Sequence, residues 1–138
     1  MSAEDRIHGA VRNALIKDGW TITADPFTIK CEGLKVFADL AAERNSPARQ
    51  EERCIVIEIK SFLGPSPIHD LELALGQYVL YRNFLRLTAP QYELHLAVGQ
   101  AIYDDLFIQG PIRFIIRQER IHLIVINVQE EVIVSWIN

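Results

Sequence analysis

Glu58, Ile59 and Lys60 place a carboxylate and an ammonium two residues apart, directly after the apolar run Ile55-Val56-Ile57. Side chains alternate along a strand, so Glu58 and Lys60 share one face while Ile59 points into the opposite layer. Val56 lies on the same face as the two charges, so this strand has no polar side, and charges there are costly unless paired or used. A second acid, Asp39, interrupts another apolar run between Val36-Phe37-Ala38 and Leu40-Ala41-Ala42. Pairing of these two strands through the 43–53 connection sets Asp39 beside Glu58.

Two carboxylates and a lysine in one place suit phosphodiester hydrolysis. Asp39, Glu58 and the Ile59 backbone carbonyl offer the hard oxygen ligands that Mg²⁺ or Mn²⁺ takes. Such an ion activates water and offsets charge building on the phosphorus oxygens. Lys60 then holds or helps deprotonate the water, or stabilises the pentacovalent oxyanion. Gln77 and Tyr81 are four apart and share a helical face with Leu73, Leu80 and Phe84, so Gln77 can position the water or contact the scissile backbone. The spacing Glu-x-Lys alone is a weak signal. The plain alternative is a structural salt bridge from Lys60 to Glu58 or Asp39, and for Gln77 an ordinary amide on a helix surface.

The elements that must carry these residues are punctuated along the chain. Ser2-Ala3-Glu4-Asp5 has the pattern of a helix N-cap, and Ile7, Ala10, Val11, Ala14 and Leu15 then recur at helical spacing up to Gly19. Glu4 continues that stripe at its start, where it faces solvent or looks into whatever the helix covers. Residues 20–30 read as a strand bent at Asp25-Pro26, 34–42 as a second strand, 48–53 as a solvated connection, and 54–62 as a strand of the sheet interior. Ser66-Pro67 opens a helix that runs to about Leu87, before Pro90. A strand over 92–98 and a short helix over 101–107 follow. The stretch 112–118 fits a short helix or a strand, and 121–128 with 132–137 form a terminal hairpin turning at Gln129-Glu130. The order defines one α/β domain spanning 1–138, a mixed sheet flanked by helices.

Composition narrows the function classes. Of the 138 residues 49% are hydrophobic and 23% charged, which excludes a disordered chain, and no apolar run is long enough for a membrane helix. Cys31 and Cys54 make no disulfide framework and have no metal-ligand spacing. The four histidines, His8, His69, His95 and His122, are too scattered for a zinc motif. With no leader-like N-terminal stretch, the protein reads as soluble, cytoplasmic and reduced. Fourteen Lys and Arg against eighteen Asp and Glu make a net charge of −4. A duplex-binding protein is usually basic, so any contact with DNA must be local, metal-bridged or aided by a partner. Arg113, Arg117 and Arg120 form either a basic strip for phosphates or, the better reading, a solvated helix face. The apolar hairpin at the C-terminus is suited to an edge that pairs with a partner or another copy.

Asp39, Glu58-Ile59-Lys60 and Gln77-x-x-x-Tyr81, in this order, resemble the PD-(D/E)xK superfamily with its restriction-endonuclease-like fold. Over nearly the full length the chain more closely resembles the XisH family of heterocyst DNA-element excision controlling factors. The likeness is carried by residues 13–20 (Asn-Ala-Leu-Ile-Lys-Asp-Gly-Trp), 56–65 (Val-Ile-Glu-Ile-Lys-Ser-Phe-Leu-Gly-Pro), 74–78 (Ala-Leu-Gly-Gln-Tyr) and 135–138 (Ser-Trp-Ile-Asn). The resemblance implies an accessory role in site-specific excision of a DNA element, alongside a recombinase and a small XisI-type partner. It also implies a homodimer, since superfamily members often pair to cut both strands. Asp39 takes the metal-binding acid position, with Ala38 in place of the superfamily's proline; the metal needs the carboxylate, not the ring. Glu58 and Lys60 take the Glu-x-Lys positions. The first-helix acid of some branches falls on Glu4, or less well Asp5, and Glu43 is a spare acid better read as solvated. A protein-binding module that keeps the fold without the chemistry is the alternative function.

Overall fold

The computed structural model describes residues 2–138. Helix α1 (Ala3–Lys17) begins where Ser2 Oγ accepts a hydrogen bond from Asp5 N at 3.0 Å, and ends at Gly19 with φ +91°. Strands β1 (Thr21–Ala24), β2 (Phe27–Cys31), β3 (Leu34–Ala38), β4 (Leu40–Ser46) and β5 (Glu51–Ile59) follow. Helix α2 (Pro67–Thr88) starts with Ser66 Oγ accepting from His69 N at 3.2 Å and Pro67 in the first turn. After β6 (Tyr92–Gly99) comes the single turn α3 (Gln100–Ile102), which widens into a π-type turn at Tyr103–Phe107. Helix α4 (Gly110–Gln118) and the hairpin β7 (Leu123–Asn127) and β8 (Val132–Ile137) complete the chain.

Six strands form one mixed sheet in the order β1-β4-β5-β6-β7-β8, while β2 and β3 pair apart from it. The neighbours β5–β6 and β6–β7 run parallel and the other pairs antiparallel. Alternation along the central strands divides the core in two. Val56, Leu94, Leu96, Val98 and Leu123 pack against α2 and α4 through Leu71, Tyr78, Leu85, Ile112 and Ile116. On the other face Leu40, Ile55, Ile57, Ala97, Ile124 and Ile126 pack against Ile7, Val11 and Leu15 of α1. The expected mixed sheet, flanking helices and C-terminal hairpin are all present, and β5 is covered on both sides as its residues require.

The finer boundaries differ for physical reasons. The strand expected over 20–30 is two strands, separated at a cis Asp25–Pro26 bond, and the second half turns away to pair with β3. The strand over 34–42 breaks at Asp39, so β3 belongs to the small hairpin and β4 to the main sheet. Half of the supposed connection 48–53 is ladder: Arg53 pairs with Arg44, Glu52 with Asn45 and Glu51 with Ser46, leaving a four-residue turn at 47–50. Arg53 there does not require solvent on all sides, because its guanidinium and that of Arg44 on β4 lie 5.4 and 4.7 Å from the Trp20 ring. The strand over 54–62 stops at Ile59, although Lys60 N still donates to Ala97 O at 3.0 Å. The stretch 112–118 is helical, with Arg113 and Arg117 exposed on it. On α2 the buried stripe is Leu71, Ala74, Tyr78, Tyr81 and Leu85, one column over from expectation, so Leu73 and Leu80 are exposed and Gln77 sits at the border.

Candidate functional site

Strand β5 delivers Glu58 and Lys60 to one place, with Lys60 Nζ 3.8 Å from Glu58 Oε2. The break at Asp39 delivers the second acid. Leu40 pairs with Ile57, so the residue before Leu40 lies beside the end of β5, where Asp39 Oδ2 accepts from Ile59 N at 2.7 Å. That bond uses the amide freed where the ladder stops and fixes the carboxylate against the strand. From α2, Gln77 Nε2 donates to Glu58 Oε2 and, at 2.9 Å, to Tyr81 Oη, which itself donates to the Phe37 carbonyl at 3.2 Å. Glu58 is thus oriented by a chain of donors running back to the strand that precedes Asp39.

These groups open into a cavity of about 470 Å³ lined by Asp39, Glu58, Ile59, Lys60 and Gln77, and across from them by Glu4, Asp5 and His8 of α1. The cavity sits beyond the carboxyl end of β5, beside its parallel neighbour β6, where open α/β sheets place their ligands. Glu58 is buried at 5% exposure, whereas the Lys60 side chain keeps 32% of its surface. Burial, reinforced by the hydrogen bonding and charge of Asp39, pushes the Glu58 carboxyl up to about 9, against an opposing pull from Lys60. The buried Glu58 carboxyl therefore holds its proton near neutral pH, and releasing it would leave two carboxylates beside the single Lys60 ammonium.

Asp39, Glu58, Ile59, Lys60, Gln77 and Glu4 are all brought to this cavity, with Asp5 beside Glu4. Glu43 is not: it pairs across the ladder with Cys54, four positions along β4, and clusters with Glu52. Burial and those two acids raise the Cys54 thiol above its usual value. His8 lines the cavity although its isolation in sequence gave no such sign; it lies four residues after Glu4 and meets Asp25 Oδ1 at 2.9 Å, an acid that also holds Arg12 at 2.7 Å.

Two of the four histidines, scattered in sequence, meet in the sheet. His95 on β6 and His122 ahead of β7 are neighbours through parallel pairing, with ring centroids 5.2 Å apart. Burial drives the His95 imidazole down to about 3, with His122 acting in the same direction, so the ring is neutral.

A six-stranded mixed sheet with helices on both faces, carrying an acid–acid–lysine cleft at the carboxyl end of a central strand, defines a mixed α/β protein. The chain belongs to the XisH family, whose model, "XisH protein", matches residues 1–134. A crystal structure of an XisH family protein from Nostoc punctiforme PCC 73102 is similar at 38% identity and a TM-score of 0.87, covering 97% of this chain and 100% of that one. A crystal structure of an FdxN element excision controlling factor protein from Anabaena variabilis is similar at 39% identity and a TM-score of 0.87, covering 97% of this chain and 99% of that one. No curated protein matches the chain. Among the described residues no helix is long and apolar enough to cross a membrane.

Proposed function

We propose that this chain is an excision controlling factor that acts on DNA through a Mg²⁺-dependent phosphodiester-cleaving site of PD-(D/E)xK type, on a restriction-endonuclease-like fold. The observation that carries this reading is the convergence of Asp39, Glu58, Lys60 and Gln77 in one open cavity. The donor set fits a hard cation. Asp39 has one oxygen committed to Ile59 N and its other available, Glu58 offers a carboxylate, and Ile59 lines the same cavity. Mg²⁺ or Mn²⁺ held there supplies Lewis acidity toward phosphate oxygens. Glu4 across the cavity is a further carboxylate for the same ion.

The remaining work falls to the chain itself. The Lys60 ammonium, exposed at the mouth, holds the attacking water or meets the charge that develops on phosphorus oxygens. Gln77, through its bonds to Glu58 and Tyr81, keeps the carboxylate in one rotamer and so acts as a positioning residue. Family membership and the name of the Anabaena variabilis relative, an FdxN element excision controlling factor, support a role in excision of a DNA element. A site-specific recombinase and an XisI-type protein are the partners this role calls for.

The test is incubation of the purified protein with supercoiled plasmid in Mg²⁺ or Mn²⁺. Nicking or cutting is expected, with Lys60→Ala lowering the rate by roughly 10²–10³, the usual cost of removing a group that stabilises transition-state charge. Calorimetry that finds no divalent-ion binding to the folded protein overturns the catalytic reading.

A second reading is favoured by one observation, the edge strand β8, where Val132 and Val134 are 39% and 45% exposed. Under it the chain is a non-catalytic binding module that pairs with an XisI-type protein or a second copy of itself. Co-purification of such a partner with an Asp39→Ala, Lys60→Ala double variant supports this reading, and loss of the partner from a folded double variant removes it.

A further inference from the structure

A second cluster of ligating side chains lies at the opposite end of the sheet and plays no part in the cleft. Glu93 and His95 are two apart on β6, so both project toward the α1 face, as does His122 from the neighbouring chain segment ahead of β7. Leu96 pairs with Leu123, which sets His95 level with His122, and Leu96 N donates to the His122 carbonyl at 2.9 Å to hold them there. One ligand atom from each of Glu93, His95 and His122 falls within 4.8 Å of the other two.

His95 gives the cluster its meaning. It is fully buried, and neither ring nitrogen has a hydrogen-bond partner. Nε2 comes within 3.3 Å of Glu93 Oε1 but off the line that a hydrogen bond requires. Buried polar groups are almost always satisfied, and leaving one unmet costs stability. The ring is also fixed, with Trp136 edge-on at 5.3 Å. His122 is oriented differently: Nδ1 lies 3.1 Å from Asn138 Oδ1, an oxygen that only accepts. With Nδ1 engaged by that oxygen, Nε2 is the ring nitrogen left for a ligand.

We propose that Glu93, His95 and His122 form a transition-metal site that takes Zn²⁺ through two imidazoles and one carboxylate. This donor set favours zinc and its neighbours, whereas the all-oxygen cleft around Asp39 and Glu58 favours magnesium. Three protein ligands leave one position for water. Glu93, itself exposed, sets that position toward the surface. Arg53 Nη2 donates to Glu93 Oε1 at 3.3 Å and so holds the carboxylate beside His95. A metal here ties β6 to β7 and, through Asn138, to the end of β8.

Co²⁺ serves as the probe, because its visible bands report coordination and it quenches tryptophan fluorescence, here that of Trp136. Titration of the full chain should give ligand-field bands that saturate at about one equivalent, displaced by Zn²⁺. His122 is half-buried and Glu93 exposed, so His122→Ala and Glu93→Gln retain the fold, checked by circular dichroism. Each should weaken Co²⁺ binding by more than the roughly 10–100-fold lost with an orienting group, and Asn138→Ala by about tenfold. Asp39→Ala should leave the bands unchanged. Absence of bands in the unmodified protein, their persistence in His122→Ala, or their loss in Asp39→Ala would each overturn the assignment.

Discussion

On the proposed function, a proton and a divalent cation would compete for Glu58. Its ordinary value is 4.5, and burial beside Asp39 raises it to about 9 in the folded chain. The folded state thus binds a proton that the unfolded state releases. Stability from this group is full below about pH 4.5 and is lost as pH rises toward 9. A divalent ion that takes the proton's place reverses the loss, so Mg²⁺ should raise the melting temperature more at pH 8.5 than at pH 6. Thermal scans at the two pH values check this, and Glu58→Gln should abolish both the pH-dependent loss and the Mg²⁺ effect. Equal shifts at both pH values would place the cation elsewhere. Gln77 allows a second measurement at the same scale. Its amide orients Glu58 and carries no charge, so Gln77→Leu should weaken Mg²⁺ binding by about tenfold while Lys60→Ala leaves binding nearly intact and removes cleavage. Calorimetry and plasmid nicking on the two variants separate positioning from chemistry.

Helix α1 closes one side of the cleft with Glu4 and Asp5, and its hold on the sheet is apolar. Leu15 is fully buried against that face, so Leu15→Ala should cost about 2–5 kcal/mol in denaturant unfolding. Ser66→Ala, which removes the cap of α2, should cost only about 1 kcal/mol. What could be read from sequence follows the same division. Caps and apolar stripes act over three or four residues, so α1 and α2 were legible to within a residue or two at their ends. The pairing of Asp39 with Glu58 and Lys60 was legible because period-two alternation and flanking apolar residues act locally as well. The break at Asp39 was not, since Val36 to Ala42 reads as one apolar strand and only the separate β2–β3 pairing divides it. The 48–53 stretch misled because its charge suggests solvent, while Trp20, distant in sequence, supplies the surface on which Arg44 and Arg53 lie. His95 and His122 are joined only by the register of two parallel strands, a relation that no spacing rule encodes.

At the scale of the whole molecule, charge sets how the proposed DNA contact would have to be made. The net charge is −4, the cleft adds Glu4 and Asp5 to Asp39 and Glu58, and the lysine at its mouth faces all four. Arg12, on the same helix as Glu4, is committed to Asp25 at 2.7 Å. A phosphate approaching this surface without a cation meets net repulsion, whereas an ion shared between the acids and a phosphate oxygen turns the same acids into a binding site. DNA binding should therefore be undetectable by fluorescence anisotropy in chelator and should appear when Ca²⁺, a hard cation that also takes oxygen ligands, is added. The salt dependence should be shallow. With about two or three phosphates met by side-chain cations, the slope of log K against log salt falls near −2 to −3, far from the steep values of basic duplex binders. Steep, metal-independent binding would instead point to the arginine cluster of Arg44, Arg49 and Arg53, which lines a separate open cavity of about 300 Å³. Arg49→Glu then decides between the two surfaces, because it abolishes binding through that cluster and leaves metal-bridged binding at the cleft unchanged.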